Sequence, residues 1–515
     1  EAKDIPVDMR LFDDPVVRAE IDRQAAISSK DGLSTKPHQG DEGDIQIDDT
    51  SEDDSQPDSG DESTGKINKK ERESPEELFR KRFATYYSRI LFFTFLSKDR
   101  VTNLDELISL MQEGEDNIRI ARNLDLRQDV LIHLRRVMDG NKLAALEFKM
   151  LNLNRLEKDG DLSPLDRART ALRRFSRLSE SEITTPPNIA SDMVGLLPDD
   201  CSPEMFFLDI ASKQGEFAIA LVERFGEDVK QNIWSLPTSG AAYEFTRKVY
   251  EFLEMPADHI FSDFTAYDLI GDNKREYIDI LKDMNFDVVV GNPPYHMTDG
   301  GAQRSATPIY NLFVSTFNSI TSRLSTFIIP SRWYAGGKGA DIDEFRLKML
   351  NDEHIVALHD FTHPEEVFPD TNNRGGVCFF LRDTSVSNEN YILVANHYDN
   401  GVVCEEKRIQ KVEGLDIFIR SNKSLSVLDK VIKGTGENDW MYRHISAAKA
   451  FGLRTFFIKD PRFKQTSIGL VEPIKCYGRG GSVGFVEKKD ILSHTEWIKL
   501  WKVYVPESNN IGTEL

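Results

Sequence analysis

Cysteine is scarce in this chain of 515 residues: Cys201, Cys378, Cys404 and Cys476 stand far apart and form no CxxC pair. That spacing suggests neither a zinc site nor a disulfide framework, and it fits a reducing, cytoplasmic setting. Long apolar runs are missing too. The most apolar stretch, Phe83 to Leu96, is about fourteen residues and contains Arg89, too short and too charged for a bilayer span of about twenty. It reads as a buried helix, and with no secretion signal a membrane partner is not expected. A surplus of positive charge is also lacking: the formal net charge of -21 excludes a uniformly basic protein that coats DNA. Asp41 to Glu62 alone carries eleven Asp and Glu and no Lys or Arg, about half of the imbalance, so a local basic cleft for DNA remains compatible with the rest. Gly336-Gly337-Lys338-Gly339 lacks both the spacer and the Ser/Thr of a P-loop, which argues against a nucleotide triphosphatase.

What is present divides the chain into four stretches. Residues 1–73, rich in Asp, Glu, Ser, Gly and Lys, cannot bury enough apolar surface to offset ordering entropy and are expected as an acidic, disordered linker or tail. The opening residue is Glu1 instead of Met, which points to a fragment or a processed product. Ser74-Pro75-Glu76-Glu77 supplies an N-cap, a Pro at the first helical position and a capping-box Glu, and Leu78, Phe79, Phe83, Tyr86 and Ile90 follow at helical spacing. Helical periodicity continues, with Gly140 and Ser163-Pro164 as punctuation, so 74–180 is predicted to be a helical domain. Its arginines at 167, 169, 173, 174 and 177 suit either phosphate or a solvated face.

After Thr185 short apolar runs alternate with helical stretches: Met205–Ile210, Asn232–Leu236, Phe286–Gly291, Ser325–Pro330, Ile355–Phe361 and Val377–Leu381. This pattern predicts an α/β fold, a doubly wound and mainly parallel sheet with helices on both faces, over 181–400. Ligands in such sheets bind at the carboxyl ends of the strands. Residues 401–515 are mixed and include the glycine-rich Tyr477-Gly478-Arg479-Gly480-Gly481, which a plain hairpin loop would also explain. There is no internal repeat.

The sharpest signal is the apolar strand that runs from Asp287 into Asn292-Pro293-Pro294-Tyr295. An exocyclic amine conjugated to a purine is a poor nucleophile, because its lone pair is delocalised into the ring. Accepting its N–H groups on the Asn292 side-chain oxygen and the Pro293 carbonyl would pyramidalise the nitrogen. Proline holds that carbonyl without the entropy cost of ordering a flexible loop. Tyr295 offers a face on which an extruded base can stack. The alternative is a tight strand-to-helix turn with a buried tyrosine. His296 invites a general-base role that this chemistry does not require.

These motifs resemble those of the gamma-class N6-adenine DNA methyltransferases of bacterial restriction-modification systems, in particular the type II G, type III-like and single-polypeptide fused enzymes. The resemblance implies a Rossmann-like methyltransferase domain over 181–400, followed over 401–515 by a target-recognition domain that need not be complete. It implies S-adenosylmethionine as cofactor and duplex DNA as partner, along with base flipping, upstream nuclease or helicase domains or subunits, and a bacterial cytoplasm. The family's cofactor loop is matched by Asp209-Ile210-Ala211-Ser212-Lys213-Gln214-Gly215-Glu216-Phe217, which keeps Asp209, Ala211, Gly215 and Phe217 but puts Lys213 where a glycine is expected. Thr185, in Thr185-Pro186-Pro187, resembles the segment that closes over the methionine end of the cofactor. Asp268 resembles the residue that accepts a hydrogen bond from the cofactor adenine, although a helix cap would explain it too. The acidic residue that ends the second strand in the family is missing from Trp234-Ser235-Leu236-Pro237-Thr238, which leaves the ribose unassigned. Phe368 resembles the second aromatic face for the extruded base and also suits a core position. Arg479, Lys488 and Lys489 are candidates for phosphate or base-edge contacts. Protein glutamine methylation and a DNA-recognition subunit with a decayed cofactor site are the competing functions.

Overall fold

The computed structural model describes residues 11, 14–30, 75–157, 162–175, 178, 182–297, 307–336, 341–369, 375–398, 401–434, 445, 450–453, 455–477 and 482–502. The chain forms two compact units, Glu1–Asn422 and Lys423–Leu515.

The first unit opens with helices. α1 spans Pro15–Lys30, within the stretch expected to be disordered. Its formation has a local cause: the Asp14 carboxylate accepts from the Val16 and Val17 amides at 3.0 Å, and Leu11, Val17 and Ile21 bury their side chains in a helical core. An N-cap and three buried apolar residues offset the polar composition around them. Then come α2 (Pro75–Leu96), α3 (Leu104–Leu110), α4 (Glu115–Asn123), α5 (Gln128–Val137), α6 (Gly140–Glu157) and α7 (Pro164–Arg174). The predicted start of α2 at Pro75 holds, and Phe79, Phe83, Tyr86 and Ile90 are all buried. Ser163-Pro164 turns out to open a helix: the Ser163 hydroxyl accepts from the Asp166 amide at 3.1 Å. Arg169 of α7 is tied to Glu223 at 2.6 Å.

The sheet follows, with its helices interleaved: α8 (Pro187–Gly195), β1 (Phe207–Ser212), α9 (Glu216–Phe225), β2 (Ile233–Pro237), α10 (Gly240–Phe252), α11 (Lys274–Asp283), β3 (Val288–Gly291), the short pair β4 (His296–Met297) and β5 (Thr307–Pro308), α12 (Tyr310–Ile320), β6 (Leu324–Pro330), α13 (Ile342–Leu350), β7 (Ile355–Phe361), β8 (Val377–Asp383), β9 (Tyr391–Tyr398) and β10 (Val402–Ile409). Eight strands line up as β10-β9-β7-β8-β6-β3-β1-β2. β1, β2, β3, β6, β7 and β9 share one direction; β8 and β10 run against them. The expected α/β class and mainly parallel sheet are therefore found. Because side chains alternate along a strand, Val288 and Val290 face one core with α8, α9 and α10, while Val289 faces another with α11, α12 and α13. The helical region is joined to the first of these layers. Phe92, Phe95 and Phe175 form a ring cluster with Phe245 of α10, at centroid separations of 5.0 to 6.0 Å.

The sheet also runs past residue 400, where a boundary was expected: β10 pairs with β9 from Val402↔Tyr398 to Ile409↔Tyr391, and Arg420 grips the buried Asp360 carboxylate at 2.6 Å. The second unit contains α14 (Asn422–Gly434, which straddles the division) and a hairpin of β11 (Pro473–Tyr477) and β12 (Val483–Glu487) over a small core of Phe457, Val486 and Ile491. Arg479 lies outside the described residues, while Lys488 and Lys489 pair with Glu472 and Glu487.

A Cβ at Gly291 would stand 2.2 Å from the Ile210 carbonyl, so β1 and β3 approach as closely as they do only because that side chain is absent. Gly291→Ala is expected to lower the urea midpoint by the equivalent of roughly 1–3 kcal/mol. His359 lies flat on Phe379 (4.6 Å, 15°) with its Nδ1 3.1 Å from His397 Nε2, and burial together with His397 lowers its pKa from 6.5 to about 4. The unfolded chain takes up this proton near pH 6.5 and the folded one only near 4, so the contribution is present above pH 6.5 and lost as pH falls toward 4. His359→Phe is expected to reduce the loss of stability between pH 7 and 5 by roughly 1–2 kcal/mol, read from urea melts at the two pH values.

Candidate active site

β1 and β3 are neighbours in parallel register, Asp209↔Val290 and Ile210↔Gly291, so the loops that follow them leave the same edge of the sheet side by side. The first loop is tightly wound. Ala211 has φ +61° and Gly215 φ +71°, both in the left-handed region, and a Cβ at Gly215 would lie 3.3 Å from Val249 Cγ1. The Ser212 hydroxyl accepts from the Gly215 amide at 3.1 Å and lies 3.1 Å from Thr246 Oγ1. Glu216, at the start of α9, accepts from the Gln214 amide at 2.8 Å and from the Thr185 amide at 3.2 Å. That carboxylate thus fastens the segment ahead of α8 to the β1 loop. Phe217 is buried in the core beneath it.

The second loop is the Asn292 turn, held by two hydrogen bonds. Asn292 Nδ2 donates to Thr185 Oγ1 at 3.2 Å, and Lys213 Nζ donates to the Asn292 carbonyl oxygen at 2.7 Å. With its nitrogen engaged, the Asn292 amide keeps its Oδ1 as an acceptor. Pro293 and Pro294 are buried, and the Tyr295 carbonyl accepts from the Ile309 amide at 3.1 Å. The Tyr295 ring meets Phe368 edge to face, with centroids 6.4 Å apart at 79°. Phe368 is buried in the core, which was its alternative reading; it nonetheless forms one aromatic pair with the turn. Half-buried His296 has its pKa pushed down by burial and by Arg332, which favours the neutral ring.

The floor of the site is a buried cluster of charge. Asp209 is fully buried, its Oδ2 is 3.5 Å from Ser235 Oγ, and its Oδ1 has no hydrogen-bond partner among the described residues. Burial, then the nearby Glu216, push its pKa well above the usual carboxylate range. Lys213 is 3 % exposed; burial pushes its pKa down, against the pull of Glu216, Glu182 and Asp209. Gln214 Nε2 donates to the Phe175 carbonyl, and Gln214 Oε1 is buried without a partner among the described residues. Two buried oxygens with no donor, beside several carboxylates, suit a cofactor that carries an ammonium and a sulfonium charge.

Thr185, Asp209, Ala211, Gly215, Phe217 and Asn292 to Tyr295 are therefore brought together. Asp268 acts as a helix cap, since its Oδ2 accepts from the Thr265 amide at 2.8 Å and from the Thr265 hydroxyl at 3.0 Å, closing a capping box on the turn Ala266–Leu269. Three participants were not evident from the sequence: Lys213 as a donor to the turn, Glu216 as the clasp, and Glu182. The hydroxyl of Thr238, just past β2, donates to Glu182 Oε1 at 2.6 Å, so a carboxylate does stand at the end of that strand, supplied by another segment. Only the charged run Lys213-Gln214-Gly215-Glu216 directly after an apolar strand hinted at such a cluster.

Comparison with known proteins bears on this stretch of the chain. A curated protein of Mycoplasma pneumoniae described as an uncharacterized adenine-specific methylase is 30% identical over 122 residues, a match covering 22% of this chain and 29% of that protein. The chain thus spans less than a third of the length of that relative. Among solved structures, the methyltransferase subunit of a type I restriction-modification system from Streptococcus thermophilus aligns at 13% identity and a TM-score of 0.40, over 69% of this chain and 89% of that one. The type IIG restriction endonuclease BpuSI aligns at 11% identity and a TM-score of 0.35, over 80% and 56%. Residues 225–368, which hold β3, the Asn292 turn and Phe368, match the family model described as Eco57I restriction-modification methylase.

Proposed function

We propose that this chain transfers a methyl group from S-adenosylmethionine to the N6 amine of adenine in duplex DNA, within a restriction-modification system. The supporting observation is the Asn292 turn: its amide nitrogen is engaged by Thr185 and its backbone by Lys213, beside a buried acidic loop on the adjacent strand end.

S-adenosylmethionine supplies, when bound, a methyl group on a sulfonium, and Thr185, Asp209, Ala211, Gly215, Phe217 and Asp268 are its proposed contacts, with Glu182 added at the end of β2 for the ribose. The chain's own residues do the rest. Asn292 Oδ1 and the Pro293 carbonyl accept the two N–H groups of the adenine amine, which localises the nitrogen lone pair. No strong base is needed: as the carbon–nitrogen bond forms and the methyl–sulfur bond breaks to leave a neutral thioether, the amine nitrogen becomes cationic and its acidic proton passes to solvent. Tyr295, with Phe368 behind it, stacks on the adenine swung out of the helix, a contact worth roughly 1–3 kcal/mol. Duplex DNA is the proposed macromolecular partner. Residues beyond 422 serve target recognition in this reading, upstream nuclease or helicase parts would act on the same DNA, and the bacterial cytoplasm is the proposed location.

Transfer of labelled methyl to duplex DNA, and not to peptides containing glutamine, is the expected result; labelling of peptide alone would overturn the proposal. Asn292→Ala is expected to lower transfer about 100- to 1000-fold, the usual cost of a lost electrostatic contact in the transition state, while calorimetry still shows cofactor binding. Thr185→Val frees the Asn292 amide to rotate, and kcat is expected to fall roughly tenfold with DNA affinity unchanged, as measured by single-turnover transfer and fluorescence anisotropy.

A further inference from the structure

The cofactor-loop lysine departs from the pattern that the motifs resemble, and the structure gives it a target. Lys213 leaves the end of β1 and places Nζ 2.7 Å from the carbonyl oxygen of Asn292, at the end of the adjacent strand. The side chain is 3 % exposed, so the bond is shielded from water. Three carboxylates favour its charged form from a distance, Glu216 on α9, Glu182 in the segment ahead of α8 and Asp209 on β1, against the opposing effect of burial. A buried ammonium needs acceptors for its donors, and the one within hydrogen-bond distance of Lys213 Nζ is the Asn292 carbonyl oxygen.

We propose that Lys213 is a positioning residue that holds the Asn292–Pro293 peptide plane in the orientation the turn needs to present its acceptors. This deepens the methyl-transfer reading and rests on it. Asn292 and Pro293 each precede a proline and are confined to extended conformations, and Pro293 fixes its own φ, so the turn keeps only a narrow range of backbone rotation. Rotation within that range at Asn292 tilts the Asn292–Pro293 peptide plane and its carbonyl. A charge-assisted bond on the carbonyl oxygen therefore locks the relation between the Asn292 side chain and the Pro293 carbonyl, the two groups assigned to the amine. Thr185 holds the side-chain amide and Lys213 the backbone, so the turn is gripped at two points. The same bond ties the two loops together.

The test uses the full chain as wild type, Lys213→Met and Lys213→Gln, with two independent readouts. Backbone amide hydrogen exchange over Val290 to Tyr295, without cofactor or DNA, is expected to quicken about tenfold in Lys213→Met, to recover partly in Lys213→Gln, which keeps a donor, and to stay unchanged in α12. Methyl transfer to duplex DNA is expected to lose about tenfold or more in kcat in Lys213→Met, while the dissociation constant for S-adenosylmethionine, measured by calorimetry, moves less than threefold. Exchange at the wild-type rate in both variants would overturn the proposal. So would tighter cofactor binding with faster transfer in Lys213→Met, which would make the ammonium an occupant of the cofactor's place. Should Lys213→Met fail to fold, Lys213→Gln alone decides by the same measures. Absence of methyl transfer in the wild type would sink the functional reading, whereas the exchange measurement would still decide whether Lys213 fixes the turn.

Discussion

The close approach of β1 and β3 is the constraint on which the site depends. Gly291 contributes no side chain where the Ile210 carbonyl passes, so the two strands can lie in register to their last residues and release their loops together. The candidate site uses that adjacency. The Lys213 bond to Asn292 spans 79 positions of sequence yet only one strand spacing. Glu216 and Thr185 complete the arrangement by pinning the chain that enters from the helical region.

A concentration of buried charge at one strand edge runs against the general tendency of cores. Asp209, Lys213 and Glu216 are each nearly inaccessible, and several kcal/mol of desolvation per ion is the usual consequence. Partial compensation is visible, because the Glu216 carboxylate takes two backbone amides and Lys213 has a carbonyl and neighbouring carboxylates. The Asp209 oxygen that lacks a donor shows that compensation stops short. A buried polar atom left in this condition calls for an explanation beyond packing, and the proposed cofactor site would give it one.

Much of this could be read from the residues. Each of the six apolar runs after Thr185 became a strand, because a short run rich in Val, Ile, Leu or Phe between turn residues has few other places to go in an α/β protein. The Asn292 turn was legible for the same reason, as a polar, proline-stiffened end to such a run. The reversed direction of β8 was not, since an apolar strand buried on both faces carries no mark of its orientation. β10 escaped because the charged residues of Val402–Ile409 look like surface, which for a sheet edge they are, and β9, an inner strand, carries only a short apolar run between polar residues. The helix at Pro15–Lys30 was hidden by the acidic composition downstream of it. The partner of Lys213 could not be seen at all, because sequence shows which groups are charged and only the fold shows which of them meet.

Phe245 belongs simultaneously to the aromatic cluster of the helical region and to α10, a helix that covers the sheet. Gln214 adds a polar thread between the same two parts by reaching the Phe175 carbonyl. The amino-terminal helices are therefore no interchangeable module. Joining this sheet to foreign helices would leave a hole at Phe245 and a dangling amide in the loop that carries Lys213, so the helices and the sheet are exchangeable only as a single block.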